Sequence, residues 1–300
     1  MSTPAEVEAI AVARKAAREA KDFAEADRLR DQALALGYEI LDVAGGFEFR
    51  KKAPFISVKR IGDLRSITDR QFTATVTMII DGFTEDAATC IKAVQAHTPK
   101  DVALFALVCG EPDTAPLGSL LNDRTFIYQV SDGFGWGEGA NTLLKLAPSP
   151  IVILIDPSTI FTGDAATPVI EQLHSGEFSA VGWKGGLVNI DDEWRSVDDK
   201  GPGEVDVLFS YFIAMQKEHA LEAGGFNVRA TFYRNADIEF SLRLRQAHAR
   251  LWQMDLPLEQ ARHHGYYDSD LTMRDEQSKK TYDRILDRFR GKNEILTPRR

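Results

Sequence analysis

The chain has 300 residues, 44% of them hydrophobic and 27% charged, with a formal net charge of -9. That balance describes an ordinary soluble protein and argues against nucleic acid or anionic lipid as its main partner. No apolar run approaches the roughly 20 residues that span a bilayer, and the first residues carry no signal-peptide core. Cys90 and Cys109 are the only cysteines. Neither has metal-ligand spacing, so both read as reduced, buried thiols of a cytoplasmic protein.

Residues 4–36 read as two helices rich in Ala, Arg, Glu and Leu, which are good helix formers. Asp22 suits the N-cap of the second, and Gly37 suits its C-terminal stop. Tyr38 to Val43 alternates like a strand, Gly45-Gly46 gives a hairpin turn, and Phe47 to Arg50 returns. The spans Ala13–Arg18, Lys21–Asp31, Gly37–Ile40 and Gly46–Arg50 resemble the extreme C-terminal segment of cysteinyl-tRNA synthetase. In that enzyme the segment belongs to the anticodon side. No HIGH or KMSKS signature accompanies it here. Residues 1–52 carry nine Lys or Arg against ten Asp or Glu, which is no footprint for RNA. The module reads instead as a packing unit or a protein-docking unit. Residues 53–70, with Pro54 and Gly62, read as a linker that edges onto the next domain.

From Thr75 the rhythm changes to strand, helix, strand. Thr75–Ile80, Val102–Val108, Phe126–Val130 and Val152–Ile155 are apolar runs, with helices expected at 85–96 (capped by Thr84) and 141–146. Ser131 to Gly139 reads as a glycine-rich loop. It lacks both the G-x-G-x-x-G and the G-K-[ST] patterns, which disfavours a classical Rossmann dehydrogenase or a P-loop enzyme. Parallel βαβ units in a doubly wound α/β sheet follow from this order. The Val152–Ile155 run stops at Asp156-Pro157. A carboxylate at the carboxyl end of a central strand sits where such sheets bind ligands; the alternative is that Asp156 is only the N-cap of the next element.

Thr77–Gly82, Gly139-Ala140-Asn141, Asp156-Pro157-Ser158, Ala223–Phe226, Tyr233–Arg245 and His263-His264, in that order, resemble a family 2 glycosyltransferase of the GT-A fold. The resemblance implies a Rossmann-like nucleotide-diphospho-sugar transferase domain over residues 71–268, preceded by the helical hairpin and β-hairpin. Residues 269–300 are left as a C-terminal helix and tail. It implies a hexosyltransferase-like enzyme that moves a sugar from a nucleotide-sugar donor to an acceptor: a glycan, a lipid or a small molecule.

Sugar transfer leaves charge on a diphosphate, which Mn²⁺ or Mg²⁺ neutralises. The family holds this ion on an Asp-x-Asp turn. The resemblance therefore assigns the metal to Asp156, Ser158 and a late histidine, His263 in preference to His264. A hydroxyl stands where the family has the second acid. The family's base maps onto Asp237, with Glu239 as the nearest substitute; the bland reading of Asp237 is a helix cap. The donor nucleotide maps near Asp81, Glu111, Gly139, Asn141 and Asp156. Trp183 and Lys184 are candidate acceptor contacts, with Trp194 nearby, although both tryptophans also suit a core. Arg243 and Arg245 read as a solvated face. Arg274 to Arg290 reads as an amphipathic helix that packs on the domain or lies on a membrane surface. Two other readings stay open: a GT-A-like docking protein without catalysis, and a tRNA-associated factor.

Overall fold

The computed structural model describes residues 4–43, 46–51, 55–66 and 68–299. It divides into two compact units, Met1–Pro54 and Phe55–Arg300.

The first unit contains α1 (Ala5–Glu19), α2 (Phe23–Ala35), β1 (Tyr38–Val43) and β2 (Gly46–Lys51). Asp22 caps α2 by accepting from the Glu25 amide at 3.1 Å. Gly37 follows α2 with φ +83°, a conformation that costs glycine little. β1 and β2 pair antiparallel. Of the expected Gly45-Gly46 turn, Gly45 lies outside the described residues. Ala11, Ala33 and Ile40 make a small core. Arg14 pairs with Asp42 at 2.7 Å, tying α1 to the hairpin.

The second unit runs β3 (Ile56–Val58), β4 (Ala74–Ile80), α3 (Thr84–His97), β5 (Val102–Cys109), β6 (Thr125–Val130), α4 (Trp136–Leu146) and β7 (Ile151–Ile155). It continues with β8 (Thr159–Phe161), α5 (Ala166–His174), β9 (Ala180–Gly182), β10 (Gly185–Val188), β11 (Val197–Asp198), β12 (Gly203–Val205) and β13 (Val207–Leu208). Last come β14 (Phe212–Gln216), α6 (Lys217–Glu222), α7 (Ala236–Gln246), β15 (Leu251–Gln253), β16 (Leu258–Gln260), α8 (His264–Tyr267) and α9 (Leu271–Phe289). Nine strands form one sheet in the order β12-β15-β9-β14-β7-β4-β5-β6-β3. β3, β6, β5, β4 and β7 are mutually parallel, while β14 runs antiparallel between β7 and β9. β4 and β7 are buried along their whole length, as strands covered on both faces require.

Several expectations change. The stretch read as a linker supplies the edge strand β3, and Leu64 joins the core. The last four residues of the glycine-rich loop are helix, because α4 begins at Trp136. Its glycines serve close packing. A Cβ on Gly137 would come within 2.1 Å of the Asn227 carbonyl oxygen, and one on Gly139 within 2.4 Å of the Phe134 ring. Thr84 does not cap α3; its hydroxyl donates to the Asp113 carbonyl at 2.7 Å. Arg245 is no solvated side chain: it is buried, 3.0 Å from Glu204, and Arg243 donates to the Gly225 carbonyl at 2.7 Å. The apolar stripe of α9 is covered by protein, with Ile285 and Phe289 buried beside Leu242 of α7. No helix among the described residues is long and apolar enough to cross a membrane.

Candidate active site

The strand order reverses between β4 and β7, since β5 and β6 lie on one side of β4 and β7 on the other. Asp81 follows β4 and Asp156 follows β7, so both acids stand at the carboxyl edge of this switch point. A cavity of about 280 Å³ opens there, lined by both acids and by Phe83, Phe134, Trp136 and Tyr233. A second hollow of about 320 Å³ contains Asp237, and Tyr233 and His263 line both.

Asp156 is fixed by its own turn. Its Oδ1 accepts from the Ser158 amide at 2.8 Å and from the Ser158 hydroxyl. Ser158 is buried and holds the carboxylate in place, which leaves Oδ2 turned toward His263. His263 Nε2 lies 3.5 Å from that oxygen, is itself buried, and makes no hydrogen bond. The ring is wedged between Tyr233, 4.7 Å away between centroids, and the edge of Tyr211 at 5.8 Å. Burial lowers the His263 pKa despite the opposing pull of Asp156, so the neutral imidazole is favoured. Burial also raises the Tyr233 hydroxyl pKa, and Asp156 adds to it.

Asp237 lies in the first turn of α7 and is buried. It is not a simple cap. Its Oδ2 accepts from the amide and hydroxyl of Ser210, in the loop before β14, at 2.8 and 3.1 Å. Burial raises its pKa, while the Ser210 amide pulls the other way. Glu239, the substitute base, differs in position: it is buried, accepts from Asn227 and Arg284, and lines neither hollow, whereas Asp237 lines the second.

Other expected site residues divide. Asp81 lines the cavity, and the protein around it raises its carboxyl pKa. Glu111 is exposed and does not line the cavity. Asn141 uses both ends of its amide on Phe226, donating to its carbonyl and accepting from its amide, each at 2.8 Å. It therefore joins α4 to the Gly-Gly-Phe turn, and Gly139 packs under Phe134. Lys184 and Trp183 do not line the Asp237 hollow, but Lys184 touches two residues that do: it donates to Gln260 at 2.8 Å and sits 5.1 Å from the Tyr211 ring, as well as 4.3 Å over the Trp183 ring. Burial lowers the Lys184 pKa. Trp194 is core, donating to Asn293 at 3.2 Å. Cys90 is buried, but Cys109 is half-buried and lines the cavity.

Beside the site stand His264, which the sequence offered only as the alternative to His263, and Asp86, Arg262 and Asp268, which it did not assign there. His264 stacks on Phe83 and lies 3.4 Å from Asp86 and 2.5 Å from Asp268. Arg262 pairs with Asp268 at 2.7 Å and, with His264, pulls that carboxyl down to about 2. These contacts fasten the residue 262–268 rim to the start of α3. Asp86 had signalled itself only as an acid in the first turn of a helix.

Structures of known proteins decide the architecture. The chain superposes on GalNAc-T7, solved with UDP, GalNAc and Mn²⁺, at TM-score 0.55 and 12% identity over 79% of this chain and 51% of that one. It superposes on the mannosyltransferase PcManGT of Pyrobaculum calidifontis, solved with GDP-Man and Mn²⁺, at 0.55 and 14% identity over 94% of this chain and 76% of that one. The larger unit has the GT-A fold. The GT-A unit is preceded by a segment of different kinship. Residues 2–50 match the cysteinyl-tRNA ligase anticodon-binding domain family. Over 46 residues the chain is 52% identical to cysteine–tRNA ligase of Laribacter hongkongensis and 56% identical to that of Pseudomonas syringae pv. tomato. The match covers 15% of this chain and 10% of each ligase. The protein thus joins a ligase-like N-terminal unit to a GT-A unit.

Among the described residues no group of three or more His, Cys, Asp or Glu side chains is gathered as for a metal ion. Two donors do suit one: Asp156 Oδ2 and the buried, unbonded His263 Nε2 face each other. A carboxylate and a neutral imidazole suit Mn²⁺ better than Mg²⁺.

Proposed function

We propose that the GT-A unit is a family 2-like glycosyltransferase that moves a sugar from a nucleoside diphosphate to an acceptor hydroxyl with inversion. The observation that carries this is the meeting of Asp156, His263 and Asp237 on two hollows that share Tyr233 and His263, at the carboxyl edge of the sheet. In this reading the nucleoside lies in the cavity beside Asp81 and Trp136, and the diphosphate lies toward Asp156, His263 and Arg262. Asp237 faces the acceptor across Tyr233. Its carboxylate takes the acceptor proton as the hydroxyl oxygen attacks the anomeric carbon. The bond to the diphosphate oxygen breaks on the opposite face, so one displacement inverts the centre. Burial that raises the Asp237 pKa makes it the stronger base. Asp156 and His263 would hold the divalent ion, with diphosphate and water completing its shell; when bound, the ion neutralises charge on the leaving group. Lys184 would orient the acceptor from the far side of Tyr211. A nucleotide-sugar donor and two unpaired thiols fit a cytoplasmic setting.

A second reading, a docking protein without catalysis, draws on the Asp-Pro-Ser turn and its missing second acid. The ligase-like unit supports a docking role of its own, and its balanced charge favours a protein over tRNA. Calorimetric titration with UDP, GDP and dTDP, with and without Mn²⁺, separates the readings. Sugar transfer requires at least one nucleotide to bind, and to bind more tightly with the ion. No binding of any nucleotide under either condition leaves the docking reading.

A further inference from the structure

The hollow that contains Asp237 is lined by four tyrosines, Tyr211, Tyr233, Tyr266 and Tyr267, and by the amide side chains of Asn235 and Gln260. Rings edged by amides suit a compact polyhydroxy molecule: its C–H faces lie on the rings and its hydroxyls meet the polar groups. Among the described residues in the lining, Asp237 is the one carboxylate, and it is buried and held by Ser210.

The cations around the hollow decide more. Arg234 is in the lining and exposed. Its Nη1 donates to the Tyr266 hydroxyl at 3.1 Å, and its guanidinium lies 5.1 Å from the centre of that ring. Those contacts place the group and leave other donors of its fork for a ligand. Its neighbours are neutralised: Arg262 pairs with Asp268 at 2.7 Å and Arg274 with Asp275 at 2.9 Å. Among the described residues no carboxylate pairs with Arg234. Lys184 repeats the pattern beside Tyr211 and Gln260, half-buried and likewise without an ion pair among the described residues. Asp199 pulls on it from further off, and burial outweighs that pull. A cation drawn partly out of water without a counter-charge costs free energy, and an anionic ligand offsets that cost.

We propose that the acceptor is a compact polyhydroxy acid, whose carboxylate or phosphate pairs with Arg234, with Lys184 adding to the attraction, while one hydroxyl meets Asp237. Calling this ligand the acceptor rests on the sugar-transfer reading; the anion site rests on the two unpaired cations. The planar fork of arginine matches both carboxylate and phosphate.

The test titrates the full chain with D-glucuronate, D-glucose 6-phosphate and D-glucose, followed by saturation-transfer NMR. At least one acid binds about tenfold or more tightly than glucose, and the tighter of the two tells carboxylate from phosphate. The advantage shrinks as salt is raised. Arg234→Gln removes about tenfold of the acid's affinity and Lys184→Gln severalfold, while glucose binding holds, a pattern that misfolding cannot imitate. The proposal is overturned if neither acid outbinds glucose in wild type, or if Arg234→Gln keeps the wild-type preference. Binding of UDP, GDP or dTDP with Mn²⁺ on the same samples reports separately on sugar transfer. Nucleotide bound without a preference for acids overturns the anionic acceptor alone. Acid preference without bound nucleotide overturns sugar transfer and leaves the anion site standing.

Discussion

His263 Nε2 stands 3.5 Å from Asp156 Oδ2, buried, and neither gives nor takes a hydrogen bond there. A buried ring nitrogen without a partner is uncommon and calls for an explanation. A shared cation supplies one. Asp156→Asn and His263→Ala should each weaken Mn²⁺ binding in the presence of a nucleoside diphosphate by about 100-fold, since loss of even an outer-shell partner costs about 10–100-fold. Calorimetry checks this. Unchanged Mn²⁺ affinity in both variants would remove the ion from this pair.

Ser158, two residues beyond Asp156, is tied to its carboxylate by two hydrogen bonds. Ser158→Ala keeps the amide bond and loses the hydroxyl bond. The expected cost is about 1–2 kcal/mol of stability, because a buried charged acceptor loses a donor. Turnover should fall as well, because Oδ2 is no longer aimed. Denaturant melts and donor kinetics read the two effects separately; a variant unchanged in both would make the hydroxyl idle.

Asn141 distinguishes a nucleotide contact from a brace. Asn141→Ala strips Phe226 of both backbone partners and should destabilise the fold by roughly 1–3 kcal/mol. Donor KM should change little at temperatures where the variant is folded. A large rise in KM with an unaltered melting midpoint would instead return Asn141 to the nucleotide.

Asp237 carries a pH signature. Its pKa is raised by burial, so the acid limb of kcat/KM should lie above the ordinary carboxylate value of about 3.9. The fold prefers the neutral acid, so the carboxylate is a liability above the folded pKa and the liability fades as pH falls through it. Asp237→Asn should therefore be at least as stable as wild type at neutral pH, with the gap closing toward about pH 4. Thermal melts across that range test it, and a variant much less stable at neutral pH would contradict it.

The sequence was informative where one element decides a position. The apolar run ending in Asp156-Pro157 marks a strand and its carboxyl end with no tertiary knowledge, and the order of motifs pointed to the GT-A layout. It was misleading where glycine serves two purposes: alternation from Gly133 to Gly139 reads as a loop, yet two of those glycines let α4 pack closely. Glu111 and Asn141 were read from a layout; the fold leaves Glu111 exposed and off the cavity lining and gives Asn141 two hydrogen bonds to Phe226, neither of which a linear pattern encodes. The bracket of Asp86, His264 and Asp268 joins residues nearly two hundred positions apart. No local pattern encodes such a contact. The edge strand β3 is three residues long and mostly exposed, too short for its alternation to be read.

The central claim is that Asp237 removes the acceptor proton in a sugar transfer at this cleft. Its most direct measurement is release of nucleoside diphosphate from a panel of UDP-, GDP- and dTDP-sugars with Mn²⁺, wild type against Asp237→Asn. The account predicts turnover of at least one donor by wild type and a loss of about 10²–10⁴-fold in a folded variant that still binds that donor. Equal turnover by the two proteins would contradict it.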